Sequence, residues 1–353
     1  MEINIREILK DANEKKASDV FIVAGLPLSM KIKGEMVAVT ETKLMPDDTL
    51  AIIKEIYGIA QNANFEKFAE TGDSDFSLSV QDMGRFRVNT YRQRGSYAAV
   101  LRVVSFSLPD PAFFGIPPAV IELHTKTKGL VLITGPTGCG KSTTLACVID
   151  AINTNRKGHI MTLEDPIEFI HRHKKSIVSQ REIPTDSLTY LQAIKSALRQ
   201  SPDVILIGEM RDIETISIAL TAAETGHLML STLHTMGAAN TIDRIVDIFP
   251  SSQQQQIRVQ LAMSLVAVVS QQLVPTVDKG LAAAFEVMMN TTAISNMIRE
   301  GKLHLINSVI HTSGEMGMQT MDSSLAALAK KGVITKDTAM TYSANPDIIA
   351  RML

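Results

Sequence analysis

The sequence predicts an α/β protein of two domains. A small α+β domain leads through a proline-rich linker into a larger domain, where strands alternate with helices before the chain turns helical. Three observations carry this. The chain has 353 residues, enough for about two domains at ~100–200 residues each. Four of its 13 prolines (Pro109, Pro111, Pro117 and Pro118) fall in one short stretch. Beyond that stretch, short apolar runs alternate with helix-length patterns, as expected for a mostly parallel sheet covered on both faces.

The elements follow in order. Ile5, Ile8, Leu9 and Ala12 share one face of a short amphipathic helix. DVFIVA and LSMKIKGEMVAV read as strands around turn glycines, TLAIIKEIYGI as a helix, and DFSLSV, GRFRVNTY and SYAAVLRVV as strands. This domain spans residues 1–107. Residues 108–118 form the linker, stiff enough to serve as a hinge because proline restricts both itself and its predecessor. Residues 119–353 form the second domain. There GLVLITG, HIMTLED, DVILIGE and LMLSTLH are strands, and STTLACVIDAI, LTYLQAIKSALRQ and TISIALTAAETG are helices. From about residue 291 the pattern is largely helical.

Composition narrows the function. Hydrophobic residues are 45% and charged residues 20%, an ordinary globular balance. A net charge of −2, with aromatics at 5% and no tryptophan, argues against a nucleic-acid binder that works by phosphate neutralisation and base stacking. Two cysteines fit a reducing cytosol and are too few for a four-cysteine zinc site. The most apolar stretch, residues 261–274, is interrupted by Ser264, Ser270, Gln271 and Gln272 and falls short of the ~20 residues of a membrane span. The N-terminus lacks the apolar core of a signal peptide.

Gly135-Pro136-Thr137-Gly138-Cys139-Gly140-Lys141-Ser142, followed by Thr143, matches the phosphate-loop pattern G-x-x-x-x-G-K-[ST]. A strand enters it and a helix leaves it, as the mechanism needs. The glycines let backbone N–H groups close around phosphate oxygens. Lys141 would reach the β- and γ-phosphates of ATP, and Ser142 would ligate Mg²⁺. Cys139 is either a redox-sensitive thiol at a helix N-terminus or simply a small loop residue. Two further strands end in acid. Glu209 closes DVILIGE, where a carboxylate can hold Mg²⁺ or polarise the attacking water. Glu164, with Asp165 and Glu168 beside it, closes another and is a second candidate for a metal ion, directly or through water. His227 and His234 frame the fourth strand, and either could sense a γ-phosphate or contact a neighbouring subunit.

GPTGCGKSTT, LEDPIEF, LIGEMRD and TGHLMLSTLHT, in this order, resemble the secretion ATPase superfamily, and within it the PilT/PilU-like type IV pilus retraction ATPases. The resemblance spans nearly the whole chain and makes these segments the Walker A loop, an Asp box, the Walker B end and a His box. It implies a PAS-like N-terminal domain, a RecA-like ATPase domain, and a cytoplasmic homohexamer at the inner face of the inner membrane. The motor would act on the pilus platform protein, with room for a second retraction ATPase as partner. Extension and type II secretion ATPases share the boxes but typically carry a larger N-terminal region and often a four-cysteine motif, which this chain lacks.

Two more features complete the reading. If Arg94-Gly95 is a two-residue hairpin turn, Gln93 pairs with Ser96 and Arg87 lies directly opposite Arg102. Opposed like charges cost stability, so the pair implies a shared anion, and truncating either arginine should hold or raise stability. The resemblance makes that anion the γ-phosphate. Near the C-terminus, residues 293–300 (AISNMIRE) resemble the AIRNLIRE motif of the retraction branch, with Ser295 in place of arginine. Ile294, Met297 and Ile298 should pack inward, leaving Asn296, Arg299 and Glu300 outside.

Overall fold

The computed structural model describes residues 4–60, 63–80, 83–104 and 108–353. Residues 1–3 of the first helix pattern and Ser107 at the domain boundary lie outside them. The chain divides into two compact units, residues 1–107 with 168–170, and residues 108–167 with 171–353.

The first unit is an antiparallel sheet with helices. Its elements are α1 (Ile5–Glu14), β1 (Ala17–Ile22), β2 (Pro27–Ile32), β3 (Glu35–Lys43), α2 (Pro46–Ile59), α3 (Phe65–Thr71), β4 (Asp73–Val80), β5 (Gly84–Gln93) and β6 (Ser96–Val104). The strand order is β3-β2-β1-β6-β5-β4, every pair antiparallel. Asn4 caps α1 by accepting the Arg6 N–H at 2.9 Å, and Ile5, Ile8, Leu9 and Ala12 are buried beneath it. Phe86, Val88 and Thr90 face the core while Arg87 between them is exposed, the period-two alternation of a sheet with one open face. Tyr57 stacks on Phe68 at 5.6 Å and its hydroxyl lies 2.8 Å from that of Thr90. Arg94 (φ 48°) and Gly95 (φ 79°) are both left-handed, the geometry of a type I′ turn, and the register is Gln93↔Ser96 and Arg87↔Arg102, as the sequence reading requires.

The second unit holds α4 (Pro118–Ile121), β7 (Gly129–Thr134), α5 (Lys141–Asn155), β8 (His159–Glu164), β9 (Ile177–Glu182), α6 (Tyr190–Ala197), β10 (Val204–Ile207), α7 (Ile213–Glu224), β11 (Leu228–Leu233), α8 (Ala238–Asp247), α9 (Ser251–Ser264), β12 (Leu265–Pro275), β13 (Leu281–Met289) and α10 (Thr292–Glu300), then α11 (Ile306–Thr312), α12 (Met321–Lys330), α13 (Lys336–Tyr342) and α14 (Pro346–Met352). Its sheet runs β13-β12-β7-β11-β10-β8-β9, parallel except for β13. Helices cover both faces. Leu130 and Leu132 pack with residues of α6 to α10, whereas Val131 and Ile133 pack with α4 and α5. All six residues of β7 are buried.

Two expectations change here. The strands β9, β12 and β13 add to the four read from the sequence. Residues 261–274, read only as an apolar stretch with polar interruptions, contain the end of α9 and most of β12. Ser270, Gln271 and Gln272 are buried in that strand, and each is bonded to a different element: Ser270 accepts the Gly237 N–H, Gln271 serves the phosphate loop, and Gln272 donates to the Tyr342 carbonyl. The proline-rich stretch is not a free connector. From Leu108 it belongs with the second unit, where Ile116 is buried and the Cys147 thiol donates to the Pro109 carbonyl at 3.4 Å.

Candidate active site

In a parallel sheet the side chains along each strand are committed to packing, so chemistry gathers where the strands end. Four of the predicted residues or motifs sit at the C-terminal ends of neighbouring strands. The phosphate loop joins β7 to α5, His234 follows β11, Glu209 follows β10 and Glu164 ends β8.

The loop is built from its glycines. Gly135 (φ 141°), Gly138 (φ 78°) and Gly140 (φ 89°) all have a positive φ that other residues rarely adopt, and a side chain at Gly135 would overlap the Gln271 carbonyl. Pro136, Thr137 and Gly138 are exposed at the tip, Ser142 and Thr143 are half-buried in the first turn of α5, and Lys141 is buried. The Lys141 ammonium donates to the carbonyls of Gly135 and Pro136, each at 2.9 Å. Cys139 is buried and its thiol is pushed up by desolvation, against the pull of Lys141, so the loop-residue reading holds over the redox one.

His234 stands between the loop and the acid. Its Nδ1 is 3.5 Å from Thr137 Oγ1 and its Nε2 is 3.4 Å from Glu209 Oε2. Glu209 also pairs with Arg211, and hydrogen bonding to that carboxylate raises the Arg211 guanidinium further above neutrality. The next residue, Asp212, caps α7 by accepting the Thr215 N–H at 2.7 Å, which fixes the turn carrying Glu209 and Arg211.

Glu164 accepts from Thr162 Oγ1 at 2.6 Å and from Gln180 Nε2 at 3.2 Å. It lies three strand positions from β7, about 14 Å between strand axes at the ~4.8 Å strand spacing, so it stands apart from the phosphate loop and not beside Ser142. Glu168 is exposed. Between Glu164 and Glu209 stands Tyr190, which the sequence reading missed. Its phenol is pushed up by burial first and then by Asp165, Glu209 and Glu164, so it stays protonated as a donor. Arg211 was visible inside LIGEMRD and went unassigned, whereas no sequence pattern marks Tyr190 or Gln271.

Two site expectations are corrected. His227 precedes β11 and lies at the opposite end of that six-residue strand from His234, about 23 Å away at ~3.3 Å per residue. Its N–H donates to the Ala222 carbonyl at 3.1 Å, a polar terminus to the α7 turn and not a member of this cluster. Arg87 and Arg102 are opposed as expected, yet not as an uncompensated pair. Arg102 is also the cross-strand partner of Asp19 in β1, and its Nε donates to Asp19 Oδ1 at 3.0 Å. The repulsion therefore has an answer inside the domain.

The comparisons agree with this geometry. Residues 1–328 match the family model described as type II/IV secretion system protein. The type IV pilus retraction ATPase PilT of Pseudomonas aeruginosa is 43% identical over 345 residues, covering 98% of this chain and 99% of that one. The type IV pilus ATPase PilU of the same organism is 40% identical over 352 residues, covering 99% and 91%. A crystal structure of the pilus retraction motor PilT with bound ADP is 45% identical, with a TM-score of 0.90 over 99% of this chain and all of that one. A strand-end cluster of phosphate loop, histidine and glutamate, joined to similarity along nearly the whole chain, leads to one conclusion: the chain belongs to the type II/IV secretion system protein family of ATPases.

Proposed function

We propose that the chain is an Mg²⁺-dependent ATPase that drives type IV pilus retraction. The observation that carries the chemistry is the contact of His234 with both Thr137 and Glu209. A ligand that displaces the loop tip is felt directly by the group that would hold the attacking water. Glu209 orients or deprotonates that water for in-line attack on the γ-phosphate, and Lys141 stabilises charge on the transferring group. Oxygen donors suit Mg²⁺, and the Ser142 hydroxyl at the start of α5 would be the protein's direct ligand, the strand-end carboxylates lying farther off. When bound, the ion would neutralise charge on the phosphate oxygens. Arg87 and Arg102, on the open face of the antiparallel sheet, are proposed as further donors to the γ-phosphate, with Arg94 weaker.

The assignment to retraction rests on the PilT relative and its structure. With it come a PAS-like first domain, a RecA-like second domain, a homohexamer at the cytoplasmic face of the inner membrane, and the platform protein as partner. Among the described residues, no helix is long and apolar enough to cross a membrane. The PilU relative, at nearly equal identity, favours a second reading, an accessory motor beside a principal one. Glu209→Gln should retain ATP binding and lose turnover by ~10²–10⁴-fold. Near-normal hydrolysis would move the water-positioning role to Glu164. Twitching of a deletion strain, with and without the gene restored, tests retraction. Loss of twitching only when another retraction motor is also absent would favour the accessory role. Stimulation of hydrolysis by DNA or RNA would instead point to a nucleic-acid translocase.

A further inference from the structure

Gln271 lies on β12, beside β7 in the sheet and 132 residues from the Cys139 carbonyl it touches, with 1% of its surface exposed. Both ends of its amide are used. Nε2 donates to the Cys139 carbonyl at 2.6 Å, and Oε1 accepts from Thr144 Oγ1 at 2.8 Å. Its backbone carbonyl abuts Gly135, and its Nε2 stands 3.3 Å from where a side chain at Gly140 would begin. One residue thus grips the loop at its start and end and ties it to the first turn of α5.

The grip has a direction. A planar trans peptide points its C=O and N–H oppositely. Holding the Cys139 carbonyl toward Gln271 therefore turns the Gly140 N–H away from Gln271. Gly140 sits at φ 89°, where glycine is free to let that peptide plane rotate. We infer that Gln271 is a positioning residue for nucleotide binding: it locks the Cys139–Gly140 peptide so that the Gly140 N–H is presented to the phosphates. This rests on the ATPase reading above. The lock acts on the loop before any bond is broken, so its loss weakens ground state and transition state alike and shows in KM more than in kcat.

The experiment measures ADP affinity by calorimetry, and KM and kcat for ATP, in the full chain. Gln271→Leu keeps the bulk and removes both bonds. It should raise the ADP Kd and the ATP KM by ~10-fold or more, about the effect of one lost hydrogen bond with its partner left buried, while kcat falls far less. Thr144→Val leaves the Cys139 bond in place but frees the amide, and should raise KM by a smaller factor. The double variant should be no worse than Gln271→Leu, because both act through one chain of bonds. Should Gln271→Leu not fold, Thr144→Val alone carries the test through its split of KM from kcat. Unchanged ADP affinity in a folded Gln271→Leu, or equal falls in kcat and kcat/KM in either variant, overturns the inference. Failure of the wild-type chain to bind ADP or ATP would overturn the ATPase reading itself, and this inference with it.

Discussion

Strand β5 of the first unit and strand β7 of the second use the same backbone in opposite ways. From Gly84 to Thr90 of β5 every other residue is buried, with Arg85 and Arg87 between them, whereas β7 is buried from end to end. The antiparallel sheet keeps one face open, so polar side chains can project from the middle of its strands. The parallel sheet is covered on both faces, so its chemistry is confined to the strand ends, where the phosphate loop, Glu209 and His234 sit. Charge is handled differently too. On the open sheet Arg102 is balanced by Asp19 on the next strand, and at the C-terminal end of the covered sheet Glu209 is balanced by Arg211, with His234 Nε2 beside it at 3.4 Å.

If the open face supplies arginines to the reaction, Arg87→Ala should cut turnover by ~10³-fold, the lower end for an arginine finger. Full activity would make the exposed face of β5 a bystander and break the comparison. At the covered sheet, Lys141→Ala should weaken ATP binding by ~10²-fold, since each charge-assisted phosphate hydrogen bond contributes about 1.5–3 kcal/mol. Binding within a few-fold of normal would remove the ammonium from the phosphate site.

Stability separates the two sheets further. His171, buried in the second unit, has its imidazole lowered to about 4, chiefly by desolvation. The folded state therefore resists a proton that the unfolded chain accepts. The unfolded chain binds more protons between about pH 6.5 and 4, so stability is full above that window and falls as pH drops through it, by up to about 3 kcal/mol. His171→Gln should flatten this slope in urea midpoints taken at pH 7 and 5; an unaltered slope would place the acid sensitivity elsewhere. In the first unit, Arg102→Ala should lower stability slightly, by under ~1 kcal/mol, because the ion pair lost with Asp19 is largely exposed on the arginine side. Arg87→Ala should not lower it. Equal melting temperatures for the two variants would mean the Asp19 pair contributes nothing.

The smallest purified effect is expected at α10. Ile294 and Ile298 are buried, Met297 packs against the core, and Asn296, Arg299 and Glu300 are exposed, as the spacing requires. Ser295, standing where the family motif has arginine, donates to the Ala262 carbonyl at 3.0 Å and so ties α10 to α9. Arg299 donates to Asn296 Oδ1 at 3.0 Å and touches no residue of the active-site cluster. Arg299→Ala should leave ATPase activity within a few-fold of normal, on the scale of a surface substitution, while abolishing pilus retraction in cells. Twitching at the wild-type rate would show that this arginine does not couple hydrolysis to force.

What the sequence determined by itself is what local physics dictates. The phosphate loop, the hairpin turn at Arg94-Gly95, the inward face of α10 and the acid-ended strands all follow from spacing, glycine placement and periodicity. Tertiary structure decided the matters that depend on distant partners. His227 and His234 are alike as letters, but the strand between them sends them to opposite ends of the sheet. Arg102 was read as repelled because Asp19, 83 positions away, is visible only in the strand order. Ser270, Gln271 and Gln272 look like interruptions of an apolar run. They become buried hydrogen-bonding groups once β7, α8 and the C-terminal helices assemble around β12. A local pattern records which face a residue takes, whereas a buried polar group is explained only by the partner that satisfies it, and that partner is chosen by the fold.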